Sequence, residues 1–181
     1  MVFGCKQCVL IVVILCVIAE IASRVEFSNI KCTSHDLEFV AYEACYLKSV
    51  NRTYKYATVK SRLLKLPITN AIINIALFQR LNGYKPFLYN VSVDACRFLK
   101  TKRSNPVITY LLNLFVRHSN LLNTTCPYKP YINVEKLTAS FLNNQMTNVL
   151  QFPEGDYLFE SKWFNNKTHR STVNVYVTIN S

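Results

Sequence analysis

Hydrophobic and polar residues alternate along most of this chain. Short runs rich in Tyr, Val, Ile and Phe recur between polar breaks, over Phe39 to Leu47, Tyr54 to Leu63, Ala71 to Leu81, Tyr84 to Cys96, Tyr157 to Phe164 and Val173 to Ile179. A period of two is typical of strands that bury one face. The pattern therefore predicts a mainly β protein, a single-domain antiparallel β-sandwich.

Turn residues separate these runs in two places. Asn82-Gly83 is flanked on both sides by strand-like residues, which is the sequence signature of a β-hairpin. The segment from Pro153 to Asp156 supplies a second turn. Both turns support strands that run antiparallel to their neighbours.

One segment departs from the alternation. Ser104-Asn105-Pro106 places a capping residue and a proline at a helix start, and apolar residues then recur at helical spacing. We predict one inserted α-helix near residues 105–118. A shorter helical or irregular piece is expected from Thr138 to Leu150.

Charged residues indicate which strand faces point inward. Glu160 and Lys162 must stay in water, which leaves Tyr157, Phe159 and Trp163 on the buried face. If Asn90 carries a glycan, the same period turns its strand neighbours Phe87, Tyr89, Val91 and Val93 inward, and an even-length hairpin adds Phe78 and Ala76 from the preceding strand. The opposite face of that preceding strand is also apolar, at Ile73, Ile75 and Leu77, so either the strand is covered on both sides or this register is wrong.

The chain begins with an apolar run from Val9 to Ala19, preceded by Lys6 and followed by small residues. Such a run is shorter than the roughly 20 residues of a membrane-spanning helix and matches a secretory signal peptide. We assign residues 1–22 to the signal and residues 23–181 to a secreted, extracellular domain that is not an integral membrane protein. An uncleaved signal anchor is the alternative.

Four cysteines remain after the signal: Cys32, Cys45, Cys96 and Cys126. In an oxidising compartment four thiols indicate two disulfides. Three connectivities are possible, and we favour the local pairing of Cys32 with Cys45 and of Cys96 with Cys126. No spacing of Cys or His typical of zinc ligands survives signal removal, so neither a metal nor another cofactor is expected.

Four N-x-S/T sequons lie beyond the signal, at Asn51, Asn90, Asn123 and Asn166. Each is a candidate glycosylation site, since a secreted chain passes the glycosylation machinery. Three of them lie beside turn-like polar segments. Asn90 instead lies inside a predicted strand, whose glycosylated side would have to face water.

The chain is strongly basic, with 21 Lys and Arg against 10 Asp and Glu and a net charge of +11. In a secreted protein this charge favours acidic lipids, glycans or protein surfaces over nucleic acid. One basic cluster comprises Lys55, Lys60, Arg62 and Lys65, and the other comprises Arg97, Lys100, Lys102 and Arg103. We predict that Lys100, Lys102 and Arg103 meet a receptor or another acidic surface.

Residues for catalysis are scarce. The chain has no G-x-S-x-G motif, and its closest acidic pair, Glu154 and Asp156, lies in a predicted turn. A glycine-rich phosphate loop cannot be built from the two glycines beyond the signal. We therefore predict a binding protein rather than an enzyme.

Several motifs resemble a large insect family of small secreted proteins of uncharacterised function. They are Phe27 to Cys32, Cys45 to Thr53, Asn82 to Asn90, Asp94 to Cys96 and Phe152 to Tyr157. That family looks distantly similar to the ML lipid-recognition superfamily, which includes ganglioside activators and CheB-like chemosensory proteins. The resemblance implies an ML or immunoglobulin-like sandwich that holds a lipid tail between its sheets.

By this resemblance the inward residues are the candidate ligand-binding site, namely Phe78, Phe87, Tyr89, Val91, Tyr157, Phe159 and Trp163. The first expectation is a secreted binder of a lipid or other apolar small molecule, in chemosensory or lipid signalling. The alternative is a secreted module with a solid core that binds an acidic protein or glycan through its basic clusters.

Overall fold

The computed structural model of the chain describes residues 24–51, 54–101, 106–116, 118–120, 126–149 and 152–180. The predicted signal segment lies outside these residues. Within the described residues there are eight strands: β1 Arg24–Ser34, β2 Val40–Ser49, β3 Lys55–Leu63, β4 Ile72–Leu81, β5 Gly83–Asp94, β6 Tyr131–Thr138, β7 Gly155–Asn165 and β8 Thr168–Asn180.

The strands form two antiparallel sheets. One sheet has five strands in the order β1-β8-β7-β4-β5, and the other has three in the order β2-β3-β6. Their apolar inner faces pack on each other, with Ile73, Ile75 and Val175 on one side and Ala57 and Leu137 on the other. The predicted mainly β sandwich is confirmed.

Two of the strands, β1 and β6, do not follow a regular alternation in the sequence. The register of β1 against β8 shifts between Phe27 and Asn29, so that Ile30 follows Phe27 on the inner face. In the β3–β6 pair the register shifts between Ala57 and Val59. A bulge adds one residue to a strand and interrupts its period of two, which hides such a strand from a pattern search.

The inserted helix is present near its predicted bounds. It follows a short helix, so that α1 spans Ala95–Thr101 and α2 spans Pro106–Val116. The Asp94 side chain accepts a hydrogen bond of 3.0 Å from the Arg97 amide at the start of α1. The segment predicted to be helical or irregular contains α3, Ala139–Asn143, followed by a π-helical segment, Asn144–Val149.

Two disulfides connect these elements. Cys32 on β1 is bonded to Cys45 on β2, which ties one sheet to the other. Cys96 on α1 is bonded to Cys126 in the segment that leads into β6. The structure therefore has two disulfides with the local pairing that the sequence favours, and the first of them helps to fix the distance between the sheets.

The β4–β5 hairpin contains a further irregularity. Its register shifts between Ala76 and Phe78, and Leu88 on the opposing strand has a φ of 57°. Val91 pairs with Ile75 on the inner side, whereas Phe78 lies on the outer side. A two-residue loop at Asn82-Gly83 would pair Phe78 with Phe87, but Leu81 pairs with Gly83, so Phe78 instead lies opposite Pro86 on the outer side. Ala76 lies opposite Asn90, also on the outer side, because the two extra residues of β5 between Pro86 and Asn90 do not change the face.

One end of the sandwich is closed by aromatic rings. Tyr157 is fully buried, and its ring centroid lies 5.5 Å from that of Phe87 and 5.6 Å from that of Phe152. The Tyr157 hydroxyl donates a hydrogen bond of 2.7 Å to the carbonyl of Pro153 and accepts one of 3.3 Å from Gln79. This end of the molecule is a packed core.

The aromatic contacts predict how much Tyr157 stabilises the fold. Tyr157→Ala should lower the free energy of unfolding by about 3 to 5 kcal/mol because it empties a fully buried site. Tyr157→Phe should cost about 1 kcal/mol through the lost hydroxyl. Urea unfolding measures both, with Tyr84→Phe as an exposed control on the same sheet. Equal stability of all the variants would contradict this role.

Candidate functional site

A cavity of about 150 Å³ lies between the two sheets, at the end opposite the aromatic rings. It runs along the paired strands β4 and β7, beginning at the middle of both. It ends where the start of β4 lies beside the end of β7, at the pair of Ile73 and Trp163. The five-stranded sheet contributes Ile30, Ile73, Ile75, Phe159, Trp163, Val173 and Val175. The three-stranded sheet contributes Val40, Tyr42, Ala57, Val59, Leu63, Ile132, Val134 and Leu137.

The cavity exists because small residues face each other across the sandwich. Ala57 and Ser61 on β3 lie opposite a wall that includes Ser161 and Ser171, and Ala71 lines the cavity just before β4 begins. None of these side chains is long enough to fill the space between the sheets. The larger residues around them keep the two sheets apart.

The serine hydroxyls in the wall are used by the protein itself. Ser61 donates a hydrogen bond of 2.7 Å to the carbonyl of Ile132, and Ser161 lies 3.5 Å from the carbonyl of Val173. Ser161 also accepts a hydrogen bond of 3.2 Å from the indole of Trp163. With these groups paired, most of the wall offers a ligand only apolar contact.

The outer end of the cavity carries a half-buried ion pair. Trp163 pairs with Ser171 and Phe164 pairs with His169, so Arg170 is an extra residue of β8 at a bulge. Arg170 lines the cavity, forms an ion pair with Asp36 and lies 4.5 Å from the centre of the Phe39 ring. The bulge thus directs a cation towards an otherwise apolar space.

Two histidines lie beside this ion pair. The rings of His35 and His169 are 4.2 Å apart, and their Nε2 atoms lie 3.0 and 2.9 Å from the hydroxyl oxygen of Thr172. The His169 ring also stacks on Phe164, which lines the cavity. Burial lowers the pKa of His169 from its ordinary value of 6.5, and the charge of His35 lowers it further.

Two tyrosines complete the wall. Tyr128 is buried, with 4 % of its surface exposed, and burial, followed by the charge of Asp94, raises its pKa to about 12. Burial also raises the pKa of Tyr42, against a hydrogen bond with Ser171 that lowers it. Both phenols are therefore neutral at physiological pH, so they contribute hydroxyl groups rather than charges to the wall.

The candidate ligand-binding residues from the sequence lie in four places. Phe159 and Trp163 line the cavity. Phe87 and Tyr157 belong to the aromatic rings at the other end, and Phe78 lies on the outer side of β4. The remaining two, Tyr89 and Val91, are half-buried on β5 against the core, away from the cavity.

The sequence prediction missed the wall contributed by the three-stranded sheet. The sequence does contain a pattern that indicates this wall, because apolar or small residues alternate with polar residues along β3, at Ala57, Val59, Ser61 and Leu63. Two small residues in that series indicate a face that packs loosely. Arg170 had no comparable signal, since its direction depends on the bulge.

The other predicted surface sites are only partly described. Asn51, Asn90 and Asn166 are exposed, and the Asn90 side chain lies on the outer face of β5, where its oxygen accepts a hydrogen bond of 2.9 Å from Asn74. Lys100 is exposed on α1. Asn123, Lys102 and Arg103 lie outside the described residues.

Residues 73–159 match the model of a family described as "Protein of unknown function (DUF1091)". The chain is similar to this family. The matched region runs from β4 into β7 and includes the cavity residues Ile73, Ile75 and Phe159. The predicted resemblance to a family of uncharacterised function is thereby confirmed. A search of curated proteins finds no match.

Among solved structures, the chain is similar to a Niemann-Pick type C2 protein from Japanese carpenter ant. The two share 15% sequence identity over 86% of this chain and 92% of that chain, with a TM-score of 0.30.

The helices of the DUF1091-like chain are short. Within the part of the chain that the structure describes, no helix combines the length and the apolar character needed to cross a membrane.

The environment of His169 predicts a pH dependence of stability. Unfolded His169 takes up a proton near pH 6.5, whereas the folded protein does so only at lower pH. Acidification below pH 6.5 therefore favours the unfolded state. We expect His169→Gln to lose less thermal stability than the wild type between pH 7 and pH 5.

Thermal melting across this pH range, starting above the ordinary pKa of 6.5, measures the effect. His118→Gln is the matched control, because the His118 ring contacts Phe141 far from this pair. The control should keep the pH dependence of the wild type. A His169→Gln variant that loses as much stability on acidification as the wild type would show that His169 is not the group responsible.

Proposed function

We propose that the protein binds a small apolar molecule, or one apolar arm of a lipid, in the cavity between its two sheets. The observation that carries the proposal is an inter-sheet space of about 150 Å³ with walls that are almost entirely apolar. Closely packed protein interiors rarely leave a void larger than a water molecule. A space of this size within a disulfide-linked sandwich is thus a feature that requires explanation.

The energetic cost of the cavity supports a role in binding. Removing side chains to leave a cavity costs about 24 cal/mol per Å³, so this volume represents on the order of 3 to 4 kcal/mol of lost stability. That is a large share of the roughly 5 to 15 kcal/mol by which domains are stable. A ligand that fills the cavity recovers part of this free energy.

The volume limits the size of the ligand. An engineered apolar cavity of about 150 Å³ in another protein stays dry and binds benzene. Pockets for drug-sized molecules are larger, about 300 to 1,000 Å³. The cavity therefore suits a six-membered ring or a short alkyl segment, and a longer ligand would have to extend out past Trp163 and Phe164.

The cellular setting is part of the proposal. Two disulfides suit an oxidising compartment, in line with a secreted protein. We propose that the protein carries its ligand outside the cell, in chemosensory or lipid signalling, with glycans at its sequons. Its predicted activity is binding, without catalysis.

Binding through a basic surface is the weaker candidate. In the first basic cluster, Lys55, Lys60 and Lys65 form ion pairs with Glu26, Glu135 and Glu38. The partner carboxylates raise the pKa of both Lys60 and Lys65 and at the same time offset their charge. This cluster therefore offers an acidic partner much less positive charge than its sequence indicates.

The proposal predicts a fluorescence response to a small hydrocarbon. Trp163 is the single tryptophan of the chain and lines the cavity, so a ligand there should change its emission. We expect saturable binding of cumene, an apolar ring of suitable size. Ala57→Leu should weaken this binding at least tenfold, because the added carbons occupy the cavity, and should leave the free energy of unfolding within about 1 kcal/mol of wild type.

Ala41→Leu is the matched control. Ala41 lies between two cavity residues on β2, pairs with the exposed Arg62, and is not part of the wall, so the same atoms are added on the other side of the sheet. Cumene should bind this variant as it binds the wild type. An unchanged Trp163 emission, together with no cumene binding by calorimetry, would refute the proposed function.

A further inference from the structure

Two buried polar atoms, each in a residue that lines the cavity, have no hydrogen-bond partner among the residues that the structure describes. They are Nε of Arg170 and the hydroxyl oxygen of Tyr128. Both residues line the cavity, and Tyr128 has only 4 % of its surface exposed. Unpaired buried donors are rare in folded proteins, and each costs about 1 to 3 kcal/mol. Because both residues line a ligand-sized space, a small side-chain movement would bring either atom to a polar group of a ligand there.

The remaining contacts of Arg170 fix its orientation. Its Nη1 atom donates to the carboxylate of Asp36, and the face of its guanidinium lies 4.5 Å from the centre of the Phe39 ring. The backbone carbonyl of Arg170 accepts a hydrogen bond of 2.8 Å from the amide of His35. The backbone and the guanidinium of Arg170 are therefore both held, while its Nε–H is left for another acceptor.

We propose that Nε of Arg170 anchors the ligand, and that the ligand is an apolar molecule with one neutral oxygen acceptor, such as a ketone, an ester or an ether. This inference rests on the proposed function and specifies its ligand class. The neutral hydrocarbon part fills the apolar space, and the oxygen accepts the Nε–H hydrogen bond. A hydrogen bond to a charged donor is stronger than one between neutral groups.

The charge balance argues for a neutral ligand. Asp36 already offsets the charge of Arg170, and both side chains are largely buried, with 24 % and 22 % of their surfaces exposed. A ligand carboxylate at Nε would add a second negative charge close to that of Asp36. Two like charges in a poorly hydrated space repel each other strongly, whereas a neutral oxygen carries no such cost.

Three ring compounds with equal numbers of heavy atoms separate these possibilities. Cumene tests the apolar space alone, acetophenone adds a neutral carbonyl, and benzoate adds a carboxylate. We expect benzoate to bind the wild-type protein at least tenfold more weakly than acetophenone. In Arg170→Lys, which keeps the cation but removes Nε–H, the Kd of acetophenone should rise about tenfold while that of cumene changes less than twofold.

Two variants serve as controls. Arg62→Lys makes the same substitution in an exposed arginine that lies over the Tyr131 ring, and it should change neither Kd. Tyr128→Phe removes the other unpartnered polar atom, and it should leave the preference for acetophenone in place. Circular dichroism and thermal melting establish that each variant is folded.

A measurement on the wild-type protein avoids any dependence on the folding of a variant. In a ¹⁵N–¹H NMR spectrum, the signal of Arg170 Nε–H should shift on addition of acetophenone and much less on addition of cumene. Three results would each overturn the anchor. Arg170→Lys could lose cumene and acetophenone binding equally, or benzoate could bind the wild-type protein more tightly than acetophenone does. The third is an Nε–H signal that responds alike to cumene and acetophenone. Failure of cumene to bind the wild-type protein would instead refute the proposed function.

Discussion

The incomplete packing between the two sheets is the constraint on which the rest of this structure depends. At one end of the sandwich Tyr157, Phe87 and Phe152 fill the interior with interlocked rings. At the other end Ala57 and Ser61 face a wall with Ser161 and Ser171, and the side chains do not meet. The Cys32–Cys45 disulfide joins the sheets and helps to fix the distance between them.

Bulges turn a regular sandwich into one with a defined site. The bulge in β8 brings Arg170 to the cavity, where Asp36 and Phe39 hold it. In β5 the irregularity adds two residues, which leaves the face unchanged and keeps Val91 beside Ile75. An extra residue in a strand changes the direction of one side chain at little cost to the neighbouring ladder, and this is how a polar atom reaches an apolar interior here.

The sequence predicts the regular part of the fold and little of the irregular part. Alternation located β2, β3, β4, β5, β7 and β8, and the cap at Asn105-Pro106 located α2. The strands β1 and β6 were missed because bulges interrupt their period of two. Periodicity depends on neighbours along one strand, so it carries no information about where a bulge falls.

The cavity could be anticipated only in part. Phe159 and Trp163 were placed inward by the charges of Glu160 and Lys162, and both line the space. The facing wall depends on which strand of the second sheet lies opposite, and that is set by long-range pairing. The volume depends on small residues that are distant in sequence, such as Ala57 and Ser161. These small residues come to lie opposite each other only once the chain is folded.

The central claim is that the space between the sheets holds an apolar molecule. Native mass spectrometry of protein secreted from eukaryotic cells, followed by organic extraction, tests this most directly. The account predicts a reproducible co-purified apolar compound with a neutral oxygen, released when the protein is denatured. Protein that carries no such compound, and that also resists loading with small apolar ligands, would contradict it.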